Sequence, residues 1–260
     1  MIHILSLTAA VLPAVVYVII LRNADRYEKE NYIHLIPAFF WGAFGATLFS
    51  IIFSGIFDVI LSVVPINFDF FHTIVTAPVT EELFKGIYLF LIFRKKHFDN
   101  LTDGIVYGST VGLGFGMFEN FLYFIMYQND PSVWIWVVVI RSTFTIIMHS
   151  VASGVLGAYF GYGKLDTNNP YKIIIKGYII AVIIHFSWNF SVSLFTGIFP
   201  YLVFAVGFRY AYKMFKSSLN TELKILQEEF YDEHVSYGYP MIDFRSKRLL
   251  GKHPDFFSSA

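Results

Sequence analysis

The chain has 260 residues, 56% of them hydrophobic and only 15% charged, with 19 Lys and Arg balanced by 19 Asp and Glu; this is far more apolar than a soluble domain. Zero net charge leaves no basic footprint for nucleic acid. The absence of cysteine excludes disulfides, thiolate metal sites and a cysteine nucleophile.

Backbone polar groups in lipid must be satisfied within the span, which a helix does by itself. Apolar runs of about 20 residues, the length that crosses a bilayer, lie near 2–21, 35–60, 74–93, 104–127, 133–160, 172–194 and 198–214. The expected fold is therefore all-α, a polytopic membrane bundle of about seven transmembrane helices. The first run has no basic leader and no small-residue cleavage signal, so it reads as a retained helix. Alternate connections carry the basic residues: Arg22, Arg26 and Lys29, then Arg94, Lys95 and Lys96, then Lys164, Lys172 and Lys176. The connections between them carry none, which predicts an N-terminus outside and a C-terminus in the cytoplasm. Arg209, Lys213 and Lys216 cluster where the last span would leave the membrane. Residues 1–214 then form one transmembrane domain. Within 215–260, Leu219, Leu223, Leu226 and Phe230 recur at helical spacing among charges, so a cytoplasmic amphipathic helix is expected, with an irregular tail from about Ser236.

Small residues recur every four positions at Gly108, Gly112 and Gly116, and Ser150, Gly154, Gly157 and Gly161 line much of the next long run. Such stripes let helices approach closely.

The third run contains PVTEELFKG, Pro78 to Gly86. A charged side chain deep in a membrane helix costs roughly 2.5–3.5 kcal/mol on insertion scales, so Glu81, Glu82 and Lys85 point to a site. Glu81 and Lys85, four apart, share a face and can pair; Glu82, about 100° round the axis, needs another partner. Further polar residues interrupt the later runs: Glu119 and Asn120 in GFGMFEN, Arg141 and His149, and His185 with Asn189 in HFSWN. Counted from the outer ends, Glu81, Glu119 and His185 fall in one layer. His149 joins it if the spanning part of its helix starts near Arg141.

Carboxylates and imidazoles converging in a partly dry cavity suit activation of water. A glutamate takes the proton as the water attacks a carbonyl, and imidazole or amide donors stabilise the oxyanion. The chemistry needs no cofactor. Glu with two His also ligates zinc, for which the candidate set is Glu82, Glu119, His149 and His185.

These residues resemble the PrsW family of intramembrane proteases, in the wider clan of CAAX prenyl-protein endopeptidases and bacteriocin-processing enzymes. The similarity lies in EELFK at Glu81 to Lys85, Phe118-Glu119-Asn120, Arg141 with His149, and His185 to Asn189. RYEKENY at Arg26 to Tyr32, followed by Phe39 to Ala43, also resembles the family's first cytoplasmic loop, with Asn31 in place of an expected proline. The resemblance implies an intramembrane endopeptidase in a bacterial cell membrane. Its implied substrate is a membrane-anchored protein such as an anti-sigma factor, whose cleavage begins a signalling cascade; the depth of the polar residues adds that the site should open outward, fitting a first cut near the outer face of a single-pass substrate. The expected catalytic residues are Glu81 or Glu82 as base, Glu119 to position water, and His149, His185 and Asn189 as oxyanion donors. Lys85, Asn120 and Arg141 would support them.

The competing readings are a CAAX-type or peptide-processing protease working from the cytoplasmic side, and a proton-coupled transporter or membrane receptor. The wholly apolar stretches Ile87 to Phe93 and Ile179 to Ile184 disfavour a polar path through the membrane. Ser150 and Ser153 lie near His149 but in no nucleophile-elbow motif, and Asp58 and Asp103 fall at opposite ends of their helices.

Overall fold

The structure, a computed structural model, describes residues 2–61, 67–165, 168–195 and 197–237. Among these residues the regular elements are all helical. They are α1 (Ile2–Ala24), α2 (Tyr32–Phe40), α3 (Thr47–Leu61), α4 (Phe68–Phe71), α5 (Ala77–Ile92), α6 (Leu101–Met126), α7 (Pro131–Ile140), α8 (Ile146–Leu165), α9 (Pro170–Leu194) and α10 (Phe199–Tyr237). π-helical turns at Trp41–Ala46, His72–Thr76 and Arg141–Thr145 join α2 to α3, α4 to α5 and α7 to α8 without a break. The described helices thus form seven continuous rods, one for each apolar run.

Four rods are long and apolar enough to cross a membrane on their own composition: His3–Ala24, Tyr32–Ile60, Pro131–Leu165 and Pro170–Leu194. The other three differ for physical reasons. The rod ending in α5 carries Asp69, Glu81, Glu82 and Lys85, α10 turns polar along its second half, and α6 is diluted by glycine, serine and threonine. α6 needs no lipophilic surface, because every residue from Leu101 to Met117 is buried. It is the axis of the bundle and packs against α1, α2, the first π turn, α5 and α8.

The glycines explain how α6 takes that place. A Cβ at Gly104 would collide with the Gly157 carbonyl, and one at Gly157 with that of Gly104; one at Gly108 would meet the Ser153 carbonyl, and one at Gly112 that of His149. On its opposite side Gly114 lies against the Phe39 carbonyl, while Gly42 lies against Val111. Backbone is in contact with backbone on two faces, as small-residue stripes allow.

Side chains fix the helix ends at the face where the basic residues gather. Asn31 caps α2 by accepting from the Ile33 amide at 3.0 Å, a role that the expected proline would have replaced. Asn100 and Asp103 form a capping box at the start of α6. Lys164 donates to the carbonyls of Phe93 (3.0 Å) and Lys95 (2.9 Å) beyond the end of α5.

α10 carries the stretch expected to leave the membrane. The boundary at 214/215 falls inside an unbroken helix, which runs to Tyr237 through the start of the predicted irregular tail; the rest of that tail lies outside the described residues. Its packing face is also rotated. Met214 and Phe215 pack against the cluster of Leu101, Ile105 and Ala158, and Ser218 and Glu222 are buried while Leu226 is exposed. Leu219 and Leu223 are half-buried, and the Phe230 side chain lies outside the described residues. The neighbour there is the polar N-terminus of α6, where Thr102 donates to Glu222 at 3.1 Å; a polar stripe therefore packs where an apolar one was expected.

Candidate active site

The six residues expected to carry chemistry lie on four elements. Glu81 and Glu82 are on α5 with Lys85, Glu119 is on α6, His149 is on α8, and His185 and Asn189 are on α9. Glu82, Lys85, His149 and His185 are all buried to within about 1%. Two π turns lead into this region: His72–Thr76 ends just before α5, and Arg141–Thr145 ends three residues before Met148-His149. A π turn rotates every later side chain relative to a regular helix and is common beside functional sites. The third, Trp41–Ala46, brings the Trp41 indole N–H to the Phe84 carbonyl at 2.9 Å.

Lys85 is the hub. Its ammonium donates to Glu82 Oε1 at 2.8 Å and to His149 Nδ1 at 3.1 Å, and it lies 4.0 Å above the centre of the Phe115 ring. Glu81 Oε2 is farther, at 3.6 Å. The expected i, i+4 pairing with Glu81 is thus the weaker contact, and the i, i+3 pairing with Glu82 the tighter one. Glu82 has three donors in all: His185 Nδ1 lies 2.9 Å from its Oε1, and Ser153 donates to its Oε2 at 3.0 Å.

Donor logic assigns the imidazole tautomers. An ammonium only donates, so His149 Nδ1 accepts, and its Nε2–H donates to Glu119 Oε2 at 2.7 Å. An ionised carboxylate only accepts, so His185 gives its Nδ1–H to Glu82 and turns Nε2 toward Glu81 Oε2, 3.7 Å away. The two rings meet edge to face with centroids 4.9 Å apart. Glu119 also pairs with Arg141 at 2.7 Å. Arg141 is held by Asn120 Oδ1, which accepts from Nε at 3.0 Å, and stacks over Tyr123 at 3.6 Å. The Asn120 amide returns a bond to the Arg141 carbonyl at 3.2 Å. That reciprocal pair pins the start of the π turn in front of His149.

Against this network, Glu81 Oε2 is buried and has no hydrogen-bond partner. Its side chain is 13% exposed, whereas that of Glu82 is fully enclosed. A buried acceptor without a donor is costly and marks a position for a further group. One ligand atom each from Glu81, His149 and His185 fall within 4.8 Å of one another. That convergent trio differs from the expected metal set in holding Glu81 in place of Glu82 and Glu119. Glu82 is held at both oxygens by Lys85, His185 and Ser153, and Glu119 Oε2 is engaged by His149 and Arg141.

Asn189 has a different place. Its amide donates to the Thr73 carbonyl at 2.9 Å and ties α9 to the π turn preceding Glu81. The aspartates stay apart as expected: Asp58 pairs with His72 at 2.8 Å, and Asp103 caps α6. Ser153 and Phe115 were not picked out as site residues. Each is one helical turn from one that was, Ser153 four after His149 and Phe115 four before Glu119, and this spacing is the signal that would have found them.

Residues 30–212 match the family model described as "PrsW family intramembrane metalloprotease". The chain is similar to a protein named Protease PrsW from Oceanobacillus iheyensis, at 30% identity over 50% of this chain and 59% of the relative. Proteins of the same name from Clostridioides difficile (25% identity, 71% of this chain, 78% of the relative) and Bacillus subtilis (24%, 76% and 89%) match over longer stretches. No solved structure matches the chain. The family match spans the loop before α2, all four motif-bearing elements and the first part of α10, and the chain belongs to the PrsW family of intramembrane proteases.

Proposed function

We propose that the chain hydrolyses a peptide bond of a single-pass membrane protein, with Glu81 as the base that takes the proton from an attacking water. The observation that carries this reading is the division between two adjacent glutamates: Glu82 has three buried donors, while Glu81 keeps an oxygen with none. A carboxylate already saturated with donors is a poor proton acceptor; one that has an oxygen with no hydrogen bond, and only the longer ion-pair contacts to Lys85 and His185, is a better one. His185, anchored through Nδ1–H on Glu82, has Nε2 beside Glu81. The proton that Glu81 takes from the water passes to His185 Nε2; the imidazolium so formed, balanced by the Glu82 charge, donates to the developing oxyanion, and the proton then goes to the leaving amine as the C–N bond breaks. His149, held between Lys85 and Glu119, forms the opposite wall, and Glu119 with Arg141 orients it. Asn189 acts in this scheme by fixing α9 against the Thr73 turn.

A metal-assisted reading is favoured by the convergence of Glu81, His149 and His185. The donor types and number suit a catalytic zinc, and each histidine has one ring nitrogen on a carboxylate, His149 Nε2 on Glu119 and His185 Nδ1 on Glu82, as metal-bound histidines do. When bound, zinc would polarise the scissile carbonyl and lower the pKa of a water. Lys85, within 3.6 Å of Glu81 and 3.1 Å of His149, already supplies positive charge to two of the three donors. Cleavage by the purified protein before and after treatment with a chelator separates the two readings. Activity that persists supports the glutamate base alone; loss that is reversed by added zinc supports the metal.

We further assign all seven rods as membrane spans, with the C-terminus cytoplasmic and the site opening toward the outer face of a bacterial cell membrane. α6, with 26 residues at 1.5 Å each, is about 39 Å long and reaches across the hydrocarbon layer. An anti-sigma factor cut near its outer end, at the start of a signalling cascade, is the substrate class that fits this orientation.

A further inference from the structure

Ser153 is fully buried on α8, and its hydroxyl donates to Glu82 Oε2 at 3.0 Å. Nothing else donates to that oxygen among the described residues. The other oxygen, Oε1, takes both Lys85 and His185. Without the serine the carboxylate would keep donors at one oxygen only and could turn about its last torsion. Lys85 has a second acid within reach, because Glu81 lies at i, i+4 on the same helix, a spacing that pairs with a lysine as i, i+3 does. Yet Lys85 is 2.8 Å from Glu82 and 3.6 Å from Glu81. Something must favour the i, i+3 partner, and the fixed plane of the Glu82 carboxylate supplies it.

We infer that Ser153 is a positioning residue: by holding Glu82 Oε2 it keeps Lys85 and His185 on Oε1 and so leaves the carboxylate of Glu81 free to act. The backbone beneath it is suited to this. The Ser153 carbonyl rests against Gly108, where a side chain would collide, so α8 is seated on α6 at this residue and the hydroxyl has little freedom to move. A nucleophilic role is not what the contacts describe. His149 Nδ1 accepts from Lys85, His185 Nδ1 donates to Glu82, and the serine proton is directed at a carboxylate.

The inference rests on Glu81 being the base, and its test separates the two. The full chain is reconstituted in vesicles with a fluorescently labelled single-pass peptide that the wild-type chain cleaves, and kcat and KM are measured for E81Q, S153A, S153T and S153C. Freeing the Glu82 carboxylate to turn toward another partner predicts a fall in kcat of about tenfold or more for S153A, with KM within about twofold, and loss of a buried hydrogen bond to a charged group lowers the thermal midpoint by several degrees. S153T, or S153C if the extra methyl is not accommodated, restores kcat to within about threefold of wild type, which a loss of packing alone would not do. Wild-type kcat in S153A, with E81Q inactive, overturns the role of Ser153 and leaves Glu81 standing. Inactivity of S153A, S153T and S153C together, with all three folded, also overturns it, in favour of a direct chemical role for the hydroxyl. An active E81Q overturns the underlying reading whatever the serine variants do.

Discussion

At the scale of single residues the site is defined by which donors reach which oxygens. Glu82 has donors at both oxygens and Glu119 has two partners at one, and each holds a histidine in one orientation. Their expected role is to fix geometry. E119Q removes a carboxylate that serves His149 and Arg141 at once, so activity should fall about 10- to 100-fold, the usual cost of losing a carboxylate behind a functional histidine. Melting of the purified variant should show it folded; full activity in E119Q would remove Glu119 from the mechanism. The identities of these residues were legible in the sequence, because ionisable groups in apolar runs are exceptions that lipid makes expensive. The division of labour between Glu81 and Glu82 was not. Helix spacing lets either acid pair with Lys85, and the choice of Glu82 depends on Ser153 and His185, which arrive from two other helices.

At the scale of elements, α6 owes its position to backbone contact on two faces. Gly104→Ala places a methyl against the Gly157 carbonyl and should destabilise by about 1–3 kcal/mol, the cost of overpacking. Gly55, on α3, has nothing within 4 Å of an added Cβ, so Gly55→Ala should be neutral or stabilising by up to about 1 kcal/mol through helix propensity. Thermal unfolding in one detergent compares them, and equal melting temperatures would contradict close α6–α8 packing as the organising contact. The glycine spacing announced this packing, whereas the π turns were not legible. They depend on how Gly42 and Arg141 seat against α6, which is tertiary information.

The second half of α10 offers a pH test. Glu222 is buried beside Thr102, and burial together with the charges of Asp25, Glu28 and Asp99 raises its pKa to about 7. In an undocked helix the group would titrate near 4.3. The docked helix thus retains a proton that the free helix releases, so docking is strongest below about pH 4.3, weakens as pH rises toward 7, and is level above. E222Q should remove that slope. Protease protection of the 215–237 stretch against pH measures it, and an unchanged slope in E222Q would assign the effect elsewhere. The leucine spacing in this stretch is that of a helix, and α10 is helical to Tyr237. The spacing missed the packing face because the surface the helix meets is a polar helix start rather than an apolar groove.

At the scale of the whole molecule, the account requires one orientation in the membrane. Because the chain has no cysteine, single cysteines report the topology directly. K96C should be labelled only from the cytoplasmic face and Q128C only from outside; the reverse pattern would invert the proposed topology and place the open side of Glu81 toward the cytoplasm. Four rods are apolar enough to be recognised as spans from composition, and α6 is not, because it is enclosed by protein over most of its length. A hydropathy criterion sees lipid-facing surface, so it undervalues the helix around which the others pack.

The most direct measurement is cleavage of a labelled single-pass peptide by the purified chain in vesicles, wild type against E81Q and E82D. The account predicts that wild type cleaves and that E81Q loses at least about 10²-fold, the lower range for removal of a general base. E82D, which keeps the anchoring charge, should retain more activity than E81Q. A folded E81Q that cleaves at the wild-type rate would contradict it.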